Sequence, residues 1–369
     1  MKPIRLAEDT IDKADLHSLI EWLETSPWLS KGPLTVHFES LWAEWLGVEH
    51  AVFCNSGSSA NLLMYAAAQA SLDDPAPRCI VPAISWATTV APAIQLGYHP
   101  ILCDADPDTW GMDVNHLTEL VEQYRPDVVM IVHTVGCPNQ MEPVLELREK
   151  HGFLLLEDCC SSYGSTYRGQ KVGTFGDMSS ISYYFAHQMS CVEGGMVNTN
   201  SPQLRDILLM LRSHGWARDL APEREAELAH AHTPIPFNRM FTFYHPGFNV
   251  RSTDLQAHLG VSQLLKLDSM VLTRVRNHEY YQDQFMSHLP EFDIQHNDDA
   301  AICSISFAAL APDQQARECV GQKLRTWGIE TRPLGGGSMG RQPFWTTRYG
   351  VQALPIADRL HECAFMVPN

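Results

Sequence analysis

From His50 onward the chain alternates short runs of continuous apolar residues with longer segments of helical character. "HAVFCNSG" is followed by "SSANLLMYAAAQAS", "RCIVPAI" by "SWATTVAPAIQLG", "PILCDAD" by "NHLTELVEQY", and "DVVMIVHTVG" by "MEPVLELREKHG". "FLLLEDC" then leads into a Gly-rich stretch. Strands that are apolar along their whole length belong to a sheet covered on both faces, and the intervening helices are the crossovers that parallel strands require. The alternation therefore predicts an α/β fold with a mostly parallel sheet covered by helices. Two more strand-like runs, "SSISYYF" and "GGMVNTN", precede the helical "SPQLRDILLMLRSHG". Residues 213–252 show little periodicity and read as one long excursion, of the kind that is functional or disordered. A long helical pattern starting in "STDLQAHLGVSQLLKLDSM" leads to a smaller unit containing "ICSISFAAL", "QQARECVGQKLRTWG" and "IETRPL". We divide the chain into an N-terminal arm and large domain, 1–265, and a small C-terminal α/β domain, 266–369. The end at "AFMVPN" is abrupt, as if a terminal segment were missing.

Charge narrows the choice of partner. With 26 basic and 43 acidic side chains the formal charge is −17, which disfavours nonspecific binding to nucleic acid or to an anionic membrane. An anionic ligand must be held by local donors. The N-terminus "MKPIRLAEDT" carries no apolar signal region, and runs such as "VVMIV" are far too short to span a bilayer, so a soluble cytoplasmic protein is expected. The 10 cysteines form no Cys-x-x-Cys pair and no His/Cys cluster at zinc spacing; they read as reduced, mostly buried residues, with no metal site.

In open parallel sheets ligands gather at the carboxyl ends of the strands. "NSGSSAN" (55–61) places small and hydroxylated residues at a helix N-terminus, which is either an ordinary N-cap or a phosphate site. Trp86, ending the next strand, is either a core residue or a stacking plate. Asp158, directly after an apolar run, is a buried acid that needs a backbone, basic or ligand partner.

The order of "SGSSANLL", "VPAISWATT", "LLLEDCCSSYGSTYRGQKVGTFGD", "SYYFAHQMSCVEGGMV", "GFNVRSTDLQAHLGVSQL" and "GIETRPL" resembles, over nearly the whole chain, the DegT/DnrJ/EryC1/StrS family of sugar aminotransferases. The resemblance implies the fold type I of pyridoxal-phosphate-dependent transferases. It implies that Asp158 pairs with the pyridine nitrogen, that Trp86 stacks on the ring, and that Gly57, Ser58 and Ser182 hold the phosphate. Ser161 stands where the family commonly has glutamine or histidine beside the ring. Asn249 matches an asparagine that reaches the phosphate from a second subunit, so a homodimer is implied. His214, Trp216, Arg218, Arg251 and Arg332 are candidates for contacting the substrate.

One position departs from the usual family pattern. Six residues before Glu193 of "VEGG", where family members carry the lysine that binds the cofactor covalently, this chain has His187. Of the seven lysines, at 2, 13, 31, 150, 171, 266 and 323, only Lys171 is near the motifs, and the family has that lysine in addition to the catalytic one. The sugar 3-dehydratases within the family share the histidine. The resemblance thus implies a pyridoxal/pyridoxamine-phosphate-dependent 3-dehydratase that acts on a nucleotide-linked 4-keto-6-deoxy sugar. L-glutamate would restore the amine form, and the pathway would be deoxysugar and lipopolysaccharide O-antigen biosynthesis. His187 would act as general base. Another histidine-bearing group adds an iron–sulfur cluster, for which these cysteines offer no spacing. The alternatives are a lysine-free nucleotide-sugar aminotransferase and a noncatalytic binding protein of the same fold.

Overall fold

The computed structural model describes residues 3–72, 74–232 and 235–369. Helices α1 (Lys13–Glu24) and α2 (Pro33–Leu46) precede a strict alternation of β1 (His50–Cys54), α3 (Gly57–Leu72), β2 (Arg78–Pro82), α4 (Ala87–Gln95), β3 (His99–Cys103), α5 (Val114–Tyr124), β4 (Val128–Val132), α6 (Met141–His151) and β5 (Leu154–Asp158). A small hairpin, β6 (Thr166–Tyr167) and β7 (Gln170–Lys171), leads to β8 (Met178–Ser182), β9 (Gly195–Thr199) and α7 (Pro202–Arg212). The seven-stranded sheet has the order β1-β9-β8-β5-β4-β2-β3. It is parallel from β3 to β8, as the crossover helices require, and β9 is antiparallel to both β8 and β1. The β8–β9 join has a local cause. No helix separates β8 from β9, so the chain can only turn back on itself there. All residues of β4, β8 and β9 are buried, as strands covered on both faces must be.

The excursion at 213–252 is more ordered than its periodicity implies. It contains α8 (Pro222–His232), which has Glu223 and Glu225 in its first turn and His230 and His232 in its last, charges that suit the helix dipole. Only Ala229 of this helix is buried, so it has no apolar stripe for the sequence to reveal. The following α9 (Asp254–His288) starts at a capping box of Thr253 and Gln256, and the 265/266 division falls inside it.

Beyond α9 come β10 (Asp293–Ile294), β11 (Ala300–Ala301), β12 (Ser306–Leu310), α10 (Gln314–Thr326), β13 (Arg332–Pro333), α11 (Pro343–Tyr349), α12 (Pro355–Cys363) and β14 (Ala364–Pro368). Four of these strands form an antiparallel sheet in the order β10-β12-β14-β13, while β11 pairs with β6 and ties this part of the chain to the β6–β7 hairpin. All ten cysteines are free, and all but Cys160 and Cys319 are buried. Among the described residues no helix is long and apolar enough to cross a membrane.

Candidate active site

A cavity of about 410 Å³ opens at the carboxyl ends of the strands, between the two sheets. It gathers Gly57, Ser58, Trp86, Asp158, Ser161, Ser182 and His187 from the large sheet and its loops, and Arg332 from β13.

The wall begins at the N-terminus of α3. Ser56 caps the helix, its Oγ accepting from the Ser59 amide at 3.1 Å, while the amides of Gly57 and Ser58 find no acceptor among the described residues. Ser58 Oγ lies 2.9 Å from Thr88 Oγ1 at the start of α4. Glycine is required at 57 because a Cβ there would sit 2.6 Å from Ser182 Cβ and 2.9 Å from Cys160 Sγ. A Cβ at Gly195 would likewise collide with the Ser56 carbonyl. The bare backbone lets the helix end settle onto β8 and β9, with two amides and a hydroxyl side by side.

Asp158, at the end of β5, is 4% exposed yet has no cationic partner among the described residues. Its Oδ2 accepts from Asn61 Nδ2 (2.8 Å) and Thr89 Oγ1 (2.7 Å), and its Oδ1 accepts from the Cys160 amide (3.0 Å). Asn61 is fixed in turn by Ser180, whose Oγ donates to Asn61 Oδ1 at 2.6 Å. These donors fix the carboxylate in the cavity wall without supplying a countercharge. Asn61, Thr89 and Ser180 escaped the sequence reading although each lay inside a quoted motif, because the network exists only where α3, α4 and β8 converge.

The neighbouring Glu157 points the other way. His133 Nδ1 accepts from the Asn139 amide (3.2 Å), so Nε2 carries the proton and donates to Glu157 Oε2 at 3.1 Å. Glu157 also accepts from the amides of Gly173 (2.9 Å), Phe175 (2.8 Å) and Gly176 (2.6 Å). His133, Glu157 and Cys159 lie close enough together to suggest a metal, but the carboxylate lone pairs are already engaged, and the cluster holds the 173–176 turn in place.

His187 sits half-buried in the loop between β8 and β9, its amide donating to the Tyr184 carbonyl at 2.9 Å. Its Nδ1 is buried with no hydrogen-bond partner. Burial, with the Arg274 and Arg332 guanidinium groups nearby, pushes the imidazole pKa down to about 3, so the ring is neutral at ordinary pH. Arg332 has no ion pair among the described residues, and burial lowers its own pKa. Ser161 Oγ donates to the His133 carbonyl at 3.4 Å. Trp86 lines the cavity at 58% exposure and stacks on no other ring among the described residues. Among the described residues no lysine lines the cavity: Lys171 donates to the Trp45 carbonyl and lies 3.9 Å from the Trp45 ring centre.

The remaining expected residues form a second cluster outside the cavity. Arg218 donates to the Met240 carbonyl through Nε (3.0 Å) and Nη2 (2.7 Å), with its guanidinium 3.8 Å from the Trp216 ring and 4.8 Å from that of Phe241. Arg251 is 5.6 Å from the same indole, and His214 packs edge-on to it at 4.9 Å. Asn249 is exposed and bridges to Ser213. Beneath this cluster Arg212, fully buried, binds Glu39 (2.6 Å), the Phe53 carbonyl (2.9 Å) and Asp219 (2.9 Å), and fastens the segment to α2 and β1.

Three features of the cavity fit a flat, phosphate-bearing heterocycle: the unpaired helix amides beside Ser182, the exposed indole of Trp86, and a carboxylate with three donors behind it. The orphaned Nδ1 of His187 fits chemistry at the rim of such a group.

The DegT/DnrJ/EryC1/StrS aminotransferase family model matches residues 9–369. GDP-4-keto-6-deoxy-D-mannose 3-dehydratase of Yersinia pseudotuberculosis is 33% identical over 338 residues, 90% of this chain and 84% of that protein. dTDP-4-dehydro-2,6-dideoxy-D-glucose 3-dehydratase of Saccharopolyspora spinosa is 33% identical, over 99% of this chain and 82% of that protein. Among solved structures, E. coli GDP-4-keto-6-deoxy-D-mannose-3-dehydratase with bound hydrated PLP superposes with a TM-score of 0.91 at 28% identity, covering 100% of this chain and 95% of that one.

Proposed function

The chain belongs to the DegT/DnrJ/EryC1/StrS aminotransferase family, and on that premise we propose that it is a pyridoxal/pyridoxamine-phosphate-dependent 3-dehydratase of a nucleotide-linked 4-keto-6-deoxyhexose. The observation that carries this reading is a neutral histidine, with an unpartnered ring nitrogen, in a cavity lined by no lysine among the described residues. The 3-dehydratase relatives support it, and they include both GDP- and dTDP-linked substrates.

When bound, the cofactor supplies an amine to engage the C4 carbonyl and a ring able to store electrons while the C3 hydroxyl departs. The chain's residues do the rest. Asp158 pairs with the ring nitrogen, and its three donors fix its position. The amides of Gly57 and Ser58, with Ser182, bind the phosphate dianion at the positive end of α3. Trp86 covers one ring face and excludes water from it. His187, neutral and unable to bind the cofactor covalently, takes a proton on its ring nitrogen and returns it to the departing hydroxyl. Arg332 faces the same space with an unpaired positive charge suited to a carboxylate or phosphate. Loss of the hydroxyl with the ketone retained is a two-electron reduction of the sugar; oxidation of L-glutamate to its keto acid supplies that electron pair, and the glutamate nitrogen leaves as ammonia.

The second cluster supports a homodimer. Asn249, Arg218 and Arg251 lie outside their own chain's cavity, on a surface where Phe241 is 68% and Phe243 55% exposed, and they would complete the site of a partner copy. The experiment is product mass. Incubation with cofactor, L-glutamate and a panel of nucleotide-linked 4-keto-6-deoxy sugars is expected to give a 3-deoxy-4-keto product. An aminated sugar would make the protein an aminotransferase instead, and absence of any cofactor half-reaction with glutamate would make it a binding protein.

A further inference from the structure

We infer that Gln188 is the positioning residue that holds His187 at the joint between the two sheets. The inference rests on the dehydratase reading for its kinetic arm and on geometry alone for the others.

Gln188 is fully buried, and its Nε2 donates to the Ser161 carbonyl at 3.0 Å and the Cys303 carbonyl at 3.3 Å. Both amide protons are used, and the opposite amide orientation would press an oxygen against two carbonyls. The two acceptors belong to different parts of the molecule. Ser161 follows the turn in which the Cys160 amide holds Asp158. Cys303, fixed by its own amide to Ser165 Oγ at 2.8 Å, begins the segment that runs through Ile305 into β12. From β12 the pairing passes through β14 to β13, which carries Arg332. A single side chain, next in sequence to His187, therefore references the imidazole both to the Asp158 turn and to the sheet presenting Arg332.

The remainder of the loop is held by the large-sheet unit and by the first turns of α9, where Gln263 Oε1 accepts from the Ser190 amide (3.5 Å) and Gln256 Nε2 donates to the Glu193 carbonyl (2.7 Å). Tyr163 OH accepts from the Met189 amide (2.8 Å) and donates to the Met189 carbonyl (3.1 Å), and the Cys191 amide donates to the Tyr183 carbonyl (2.9 Å). None of these contacts reaches the second sheet. A lysine at position 187 would be tethered by its bond to the cofactor. An imidazole has no tether, and displacement of a catalytic group by about 1 Å costs on the order of 10² in rate. The amide of Gln188 supplies by hydrogen bonding the constraint that a covalent link would otherwise supply.

Gln188→Met preserves volume and removes both donors. We expect kcat to fall about 10–100-fold while KM for the nucleotide sugar stays within about threefold. In the protein without cofactor, carbethoxylation at His187, read from the mass of its own peptide, should run several-fold faster than in the parent. Unchanged carbethoxylation, or a raised KM with kcat kept, would assign Gln188 to packing alone and overturn the inference. Should Gln188→Met not fold, the parent protein decides: hydrogen exchange at the amides of His187, Cys191 and Ile305 is expected to report one common opening free energy. Separate openings for the loop and Ile305 would sink the idea. The carbethoxylation and exchange arms need no substrate, so a failed dehydratase assay leaves them standing.

Discussion

The cavity wall and the aromatic–arginine cluster carry residues of the same chemical types in different states of completion. In the wall, Asp158 has three donors, Asn61 and Ser180 satisfy one another, and Gly57 is pressed against β8 with no room for a methyl group. In the cluster, Arg218 leans on a backbone carbonyl between two aromatic rings, while Asn249 and Phe241 face outward. Folding of one chain finishes the first region. The second exposes an aromatic patch around fixed guanidinium groups, the kind of surface that association covers. On the proposed reading, the ring contacts and the helix-end phosphate contacts would come from one chain, while Asn249 and part of the substrate recognition would come from a partner copy.

The largest expected effect would test whether the wall is complete. His187→Asn leaves the helix amides, Ser182, Trp86 and Asp158 untouched, so cofactor affinity measured by absorbance titration should stay at the parent value. Dehydration should fall by roughly 10²–10⁴-fold, the usual consequence of removing a general base. An undiminished rate with bound cofactor confirmed would make His187 a bystander.

A second experiment tests whether the cluster serves the neighbouring subunit. Asn249→Ala should weaken turnover on the order of 10-fold or more, the size of a lost hydrogen bond to a charged group. Mixing it with His187→Asn is the sharper test. If each site takes residue 187 from one subunit and residue 249 from the other, half the dimers in a random mixture have one intact site of two. Activity should then rise to about a quarter of the parent value after subunit exchange. No rise above the average of the two variants would place both residues in the same chain's site and remove the distinction between the regions.

The wall was legible in the sequence largely because its parts are local. "NSGSSAN", "AISWATT" and "LLLEDCC" are strand ends followed by turns, and a strand end in a parallel sheet is committed to the ligand-binding edge wherever its neighbours lie. What supports the wall was not legible. Thr89 donates to Asp158 and Ser180 fixes Asn61 only after strands distant in sequence become adjacent. The antiparallel placement of β1 beside β9 has the same character: nothing in "HAVFC" distinguishes an edge strand paired with a distant partner from one paired in parallel. Helix α8 was missed for the opposite reason, since it packs against little and shows its presence only through charges at its ends. Arg212 read as one more residue of a helix, and only the structure reveals it buried between Glu39 and Asp219, fastening the cluster to the large sheet.

The smallest effect concerns acid stability and bears on the wall alone. In the unfolded chain the His187 imidazole takes up a proton near 6.5, whereas in the folded wall, with Arg274 and Arg332 nearby, it does so only at about 3. Between those values the unfolded chain binds the additional proton, so this residue's contribution to stability is fully present above pH 6.5 and is lost as the pH falls toward 3. His278, buried and pushed down to about 4, acts in the same direction, but it is present in both proteins compared and cancels. Between pH 7 and 5 the parent should therefore lose about 1–2 kcal/mol more than His187→Asn, measured by urea unfolding without cofactor at a fixed protein concentration. An equal loss in both would mean that water reaches the imidazole freely. The wall would then be as open to solvent as the cluster, and the contrast between a finished and an unfinished region would fail at its catalytic residue.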